Sequence, residues 1–245
     1  MIEFIWYFFI YAFLGWCTEV CFAAVTTGKF VNRGFLNGPL CPMYGVGVVM
    51  IVFCLTPIKD NPLLLFAGAV VLTTVLEGLT GFLLEKLFHQ RWWDYSDTPF
   101  NLGGYVCLKF SLMWGLACLL IMDVLHPFIA MLVQHIHLWV SAVVLPLLGV
   151  LMICDLVFTV LSVRNLNLHL EQLARINARI RDTSDGIGEK MSDAALALVN
   201  HQRDLIQHLR GGEKRLLRAF PGMRSLRHPE WLEKMKEQVN QIKKK

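Results

Sequence analysis

The first 163 residues alternate between long apolar stretches and short polar breaks. Five stretches come near the length of about 20 residues that an α-helix needs to cross a bilayer core of about 30 Å. They are residues 2–25, 42–57, 63–84, 105–125 and 140–163. The second is short and Gly-rich, which suits a helix with little tilt or a re-entrant start. Pro127 is expected to end the fourth, leaving the amphipathic segment 128–139 along the interface. Pro146 is expected to bend the fifth, because proline removes a backbone donor.

Beyond Val163 the pattern changes. Leu166, Leu170, Leu173, Ile176 and Ile180 recur at helical spacing, so the fifth stretch should continue as an amphipathic helix over 165–181. Residues 182–188 should break it, with Ser184 or Asp185 capping a further helix over 189–209. Gly211-Gly212 would interrupt that helix. A short basic piece starts at Arg215 and ends at Pro221, and His228-Pro229 opens the last helix. The expected fold class is all-α: a polytopic helical membrane protein with Gly/Pro-rich loops, divided into a transmembrane domain (1–163) and a helical tail (164–245).

The charges support this division. The chain is 55% hydrophobic and 17% charged, whereas globular domains are typically ~25% charged. Residues 1–163 carry a net −3 and residues 164–245 a net +7, giving the overall +4. Lys29, Arg33, Lys86 and Arg91 fall in loops one and three, with Lys109 just beyond. Loop two has only Lys59, and loop four has no Lys or Arg. The positive-inside rule then places the N-terminus outside and the basic tail in the cytosol, as a multi-pass protein of the cell membrane. Glu3 stands where a signal peptide would be basic, so the first stretch reads as a span. None of the seven cysteines forms a Cys-x-x-Cys pair, and no disulfide framework is expected.

Two of the stretches each hold one glutamate, Glu19 and Glu77. A carboxylate at that depth is costly and marks a partner or a job. Each is followed by a basic, aromatic loop and then Gly-x-x-Cys, at Gly38–Cys41 and Gly104–Cys107. The doubling reads as one hairpin design used twice. Arg33, Arg91 and Lys109 approach from the same side, and Asp155 lies at similar depth in the fifth stretch. Two readings stay open. The ions form buried salt bridges that fix helix register, or they line a cytosol-facing cavity for a polar or cationic ligand. Residues 34–42 and 99–104 are expected to dip back against the bundle, since irregular backbone at membrane depth must be protein-buried or line a wet cavity; Trp92, Trp93 and Tyr95 equally suit an interfacial anchor.

The runs KFVNRGFLNGPLCPMYG (29–45), EGLTGFLLEKLFHQRWWDYSDTPFNLGGYVCLKFSLMWG (77–115) and RLLRAFPGMRS (215–225) resemble the bacterial family called putative ABC-transporter type IV, the CmpB-like permeases. The resemblance implies an integral inner-membrane permease, with a separate ATPase subunit as a partner. The Glu-Ala-Ala-x3-Gly loop that such permeases present to their ATPase has no full counterpart, Asp193-Ala-Ala195 being the nearest string.

No P-loop, Gly-x-Ser-x-Gly or His-Glu-x-x-His motif occurs, so neither ATP hydrolysis nor a familiar hydrolase chemistry is written in the chain. No cofactor or metal set is expected, and no recognition motif accompanies the basic tail, which argues against nucleic acid. The leading expectation is a permease component for a small polar solute, working as a homo-oligomer. Its cavity residues would be Glu19, Arg33, Glu77, Arg91, Asp94, Asp97, Asn101, Lys109 and Asp155. The alternatives are a membrane scaffold whose tail recruits partners, and an enzyme acting on lipid at the interface through Asp94 and Asp97.

Overall fold

The computed structural model describes residues 1–184, 200, 202, 204–205 and 209–241. Among them, four helices are long and apolar enough to cross a membrane. These are α1 (Ile2–Thr27), α3 (Pro62–Phe88), the continuous segment Leu108–Gln134, and the first part of α6 (Leu138–Ser184). Helix α2 (Pro42–Leu55) is shorter, even with the 3-10 turn Thr56–Ile58 that extends it. At 1.5 Å per residue the pair reaches roughly 25 Å. The chain is an all-α, multi-pass membrane protein. Strands among the described residues are two-residue pairings: β1 (Gln90–Arg91), β2 (Asn101–Leu102), β3 (Val106–Cys107) and β4 (Arg224–Ser225).

Local signals set the helix ends. Helix α1 stops at Gly28, whose φ of 67° is the left-handed conformation that glycine adopts freely. The side chain of Asn61 caps α3 by accepting from the amides of Leu63 and Leu64, with Pro62 at the first helical position. Helix α1 packs on α2, and α3 on α4 (Leu108–Leu120). Glycines permit both approaches. A Cβ on Gly45 would stand 2.5 Å from the Phe8 carbonyl oxygen, and one on Gly115 would strike Val70 and Phe66.

Pro127 does not end the fourth crossing. Helix α4 passes through a π turn, Ile121–Leu125, into α5 (His126–Gln134). The His126 amide reaches back to the Ile121 carbonyl. Pro127 then sits in the first turn of α5, where a missing N–H costs little. Residues 128–134 therefore continue the crossing helix instead of lying along the surface. Ile129 and Val133 are buried, and the Tyr11 hydroxyl lies 3.2 Å from His126 Nδ1.

The interior has two apolar cores. One lies among α1–α5 and includes Tyr7, Tyr11, Ile51, Leu65, Cys118 and Met122. The other gathers Leu166, Leu170 and Leu173 of α6 with α7 (Gly211–Ala219) and α8 (Pro229–Gln241), through Leu216, Trp231, Leu232 and Met235. Gly211-Gly212 opens α7, and the Arg210 amide donates to Glu213 Oε2 at 2.7 Å. Helix α6 runs on through Ser184, past the break expected from residue 182. The helix expected over 189–209 and the capping role of Asp185 lie almost wholly outside the described residues. Only 6% of the α6 apolar window is buried, against 33% for α1, so its faces are left to lipid.

Candidate functional site

Both hairpins send chain back into the bundle. The Cys41 amide donates to the Ala12 carbonyl at 2.9 Å. Ala12 is about 20 Å along α1 from its Thr27 end at 1.5 Å per residue. Helix α2 thus begins near mid-depth, with Cys41 as its N-cap, and residues 28–41 cover the remaining depth without helix. Their backbone groups are claimed by side chains. The Arg215 guanidinium donates to the carbonyls of Gly34, Phe35 and Leu36 at 2.8–2.9 Å. Asp155 accepts from the amides of Asn37 (3.0 Å) and Gly38 (2.6 Å) and from the Asn37 side chain (2.8 Å). Asn32 accepts from Trp16 and from the Gly34 amide, and donates to the Asn37 carbonyl. This meets the requirement that irregular backbone at such depth be buried and paired.

The second hairpin repeats the plan. Helix α3 ends at His89 (φ 55°), the chain folds back, and α4 starts from Cys107 as its N-cap. The β2–β3 hairpin sits over α3, with Val106 against Gly78 and Tyr105 and Trp93 against Gly81. Asn101 holds the turn by donating to the Ser96 and Thr98 carbonyls and accepting from the Gly104 amide. Arg91 donates to Glu85 at 2.6 Å, lies 3.7 Å from Asp94 and covers the Tyr105 ring. From the tail, β4 pairs with β1, and Arg224 donates to Asp94 at 3.0 Å. Although burial opposes it, hydrogen bonds from Ser96 and the charges of Arg224 and Arg91 hold the Asp94 carboxyl below its usual range. Burial pulls the Arg215 guanidinium below its ordinary value, with Asp155 working against that effect.

The two intramembrane glutamates each meet a tyrosine. Tyr44 donates to Glu19 Oε1 at 2.6 Å, and Arg33 stands 3.5 Å from Glu19 Oε2 while packing over Phe22. Tyr95 donates to Glu77 Oε1 at 3.0 Å and stacks on Phe110. Glu77 is 7% exposed, and its buried Oε2 has no hydrogen-bond partner among the described residues. No basic side chain pairs with it there, unlike Glu19. A cavity of about 70 Å³ borders Glu77 and is otherwise lined mainly by apolar side chains of α2, α3 and α4, together with Tyr44. Tyr44 packs edge-on to Trp114 and so touches both the Glu19 pair and the Glu77 cavity.

The nine residues singled out from the sequence therefore fall into separate settings. Glu77 lines the cavity, and Glu19, paired with Arg33, meets it only through Tyr44. Asp155 is engaged by loop one. Arg91, Asp94 and Asn101 organise loop two. Lys109 is exposed, over the Phe110 ring, and Asp97 is 94% exposed with only a 4.0 Å approach from Arg224. No cluster of three or more metal-ligating side chains occurs among the described residues. Three contributors were not named as site residues from the sequence: Tyr44, Tyr95 and Arg215. Tyr44 lies three residues after Cys41, one helical turn into α2, which is the one signal that could have aimed it at the preceding span. A family model described as Putative ABC-transporter type IV matches residues 6–160. No curated protein and no solved structure matches the chain.

Proposed function

Because the chain belongs to the Putative ABC-transporter type IV family, we propose that it is a permease component that moves a small polar or cationic solute, with Glu77 as the binding carboxylate. The observation that carries this reading is the Glu77 Oε2 atom, buried beside a cavity without a partner among the described residues. A carboxylate in that setting needs a counter-charge to be tolerated. A solute cation or a proton supplies it. At about 30 Å³ per water the cavity holds roughly two waters or a bare ion. It is the closed form of the site, and a larger solute enters only when loop one or loop two moves.

The remaining parts follow from the same reading. The basic loops and tail face the cytosol of a bacterial cell, and the N-terminus faces out. The sequence carries no P-loop, so energy comes from a separate ATPase subunit or from an ion gradient. The nearly bare α6 suits pairing with a second copy. Residues 164–245 act as a cytosolic domain that grips both loops.

The test is solute flux through the full chain in proteoliposomes, with and without an ATPase encoded beside it. A panel of monovalent cations and small cationic or zwitterionic solutes is offered. Glu77→Gln keeps the side-chain shape and the Tyr95 contact. Flux should fall at least tenfold while the melting temperature is held or rises. Equal flux in Glu77→Gln, or none in wild type under any gradient, would overturn the reading.

A further inference from the structure

A pocket of about 500 Å³ opens between the end of α3, the middle of α6 and β4. Its wall carries three arginines, Arg164, Arg175 and Arg227, and two histidines, His89 and His228. Its lining includes one carboxylate, Glu171, already bonded to Arg175 at 2.6 Å. Arg164 and Arg227 make no ion pair or hydrogen bond among the described residues. Two unpaired guanidinium groups facing one concavity repel each other and are relieved by an anion between them.

The depth of the pocket selects the anion. Arg164 directly follows Val163, where the apolar run of α6 ends, and His89 directly follows the end of α3. The basic wall is therefore level with the membrane surface on the tail side. One turn toward the bilayer stand Leu161 and Leu87, both exposed, and Leu168 and Leu226 are exposed beside the pocket itself. Charge at the surface with apolar side chains leading from it into the bilayer fits a molecule that has an anionic head and acyl chains. We propose that this pocket binds the phosphate headgroup of an anionic phospholipid. The phosphate sits between Arg164 and Arg227, and the chains run down past Leu161 and Leu87. This site is separate from the Glu77 cavity and stands whether or not that cavity moves a solute.

The experiment is native mass spectrometry of the full chain in neutral detergent, titrated with phosphatidylglycerol, phosphatidylcholine or inorganic phosphate. Wild type should hold one phosphatidylglycerol per chain, at least tenfold tighter than phosphatidylcholine. Each basic residue near a membrane surface is worth about fivefold. The double variant Arg164→Gln/Arg227→Gln should therefore bind about 25-fold more weakly, with an unchanged melting temperature. Lys29→Gln/Arg218→Gln, in a different basic groove, should leave binding as it was. Equal retention of phosphatidylcholine would overturn the proposal. So would wild-type binding by the Arg164/Arg227 variant, or an equal loss in the Lys29/Arg218 variant. Inorganic phosphate binding as tightly as phosphatidylglycerol would make this a soluble-phosphate site and overturn the lipid assignment.

Discussion

Replacing Arg215 with methionine tests whether loop one is held in the bundle by a side chain from the tail. The guanidinium donates to three successive carbonyls, Gly34, Phe35 and Leu36. Hydrogen bonds to a charged donor are worth about 1.5–3 kcal/mol each. The cost of burying the guanidinium, visible in its lowered pKa, offsets part of that sum. Removing one partner from a buried charged arrangement typically costs about 3–5 kcal/mol. Methionine keeps the stem packing but leaves three carbonyls without a donor. Taking the lower end, opening of loop one should become more than about 100-fold more frequent. Cys41 reports this directly, since it is 7% exposed and lies between loop one and α2. Maleimide labelling, read by peptide mass spectrometry, should accelerate at Cys41 by that factor. Labelling at Cys118, deep in the core among α1–α5, should not change. Arg215→Lys should recover only part of the effect, because one ammonium cannot span three carbonyls. If Cys41 labelling rises less than threefold, or only in step with Cys118, Arg215 does not hold the loop.

Asp155→Asn removes the anionic acceptor of the Asn37 and Gly38 amides. It should cost about 2 kcal/mol and raise Cys41 labelling roughly 30-fold. Gly45→Ala drives a Cβ to 2.5 Å from the Phe8 carbonyl oxygen, a backbone atom that cannot step aside. A loss of about 2–3 kcal/mol is expected, read as a lower melting temperature. Gly149→Ala, where a Cβ meets nothing within 4 Å, should be silent. Trp92→Ala empties a buried site touching Phe35, Phe88 and Phe220. It should cost about 3–5 kcal/mol and loosen the tail, measured as faster proteolysis of α8.

The long apolar runs made the crossing helices legible, because a bilayer demands length and hydropathy and little else. The paired Gly-x-x-Cys motifs marked a real event, since both cysteines cap the second helix of a hairpin. Pro127 misled because a π turn absorbs it, and that depends on carbonyl geometry rather than on residue type. Tyr95 read equally well as an interfacial anchor, and no linear signal distinguishes a tyrosine at the membrane surface from one folded back onto Glu77. Arg215 lies 181 residues from Gly34. Its role follows from where the tail packs, which no local pattern encodes.

The two hairpins differ in one respect that matters for any movement. Glu19 has a counter-charge in Arg33, 3.5 Å away. Among the described residues Glu77 has none, and its one hydrogen-bond donor there comes from loop two. That loop is tied to the tail by β1–β4 pairing and by Arg224 on Asp94, while Trp92 plugs it into the tail core. Withdrawing loop two therefore removes Tyr95 from Glu77, the carboxylate that borders the cavity. The tail is the element positioned to drive it. Under the permease reading, a partner that pulls on α7 and α8 acts on Glu77 through the backbone of residues 90–95. An Arg224→Gln variant, with one of these ties cut, should then show higher solute leak through wild-type Glu77 and no such rise in a Glu77→Gln background. A leak that rises equally in both backgrounds would separate the tail from Glu77 and leave these ties as simple scaffolding.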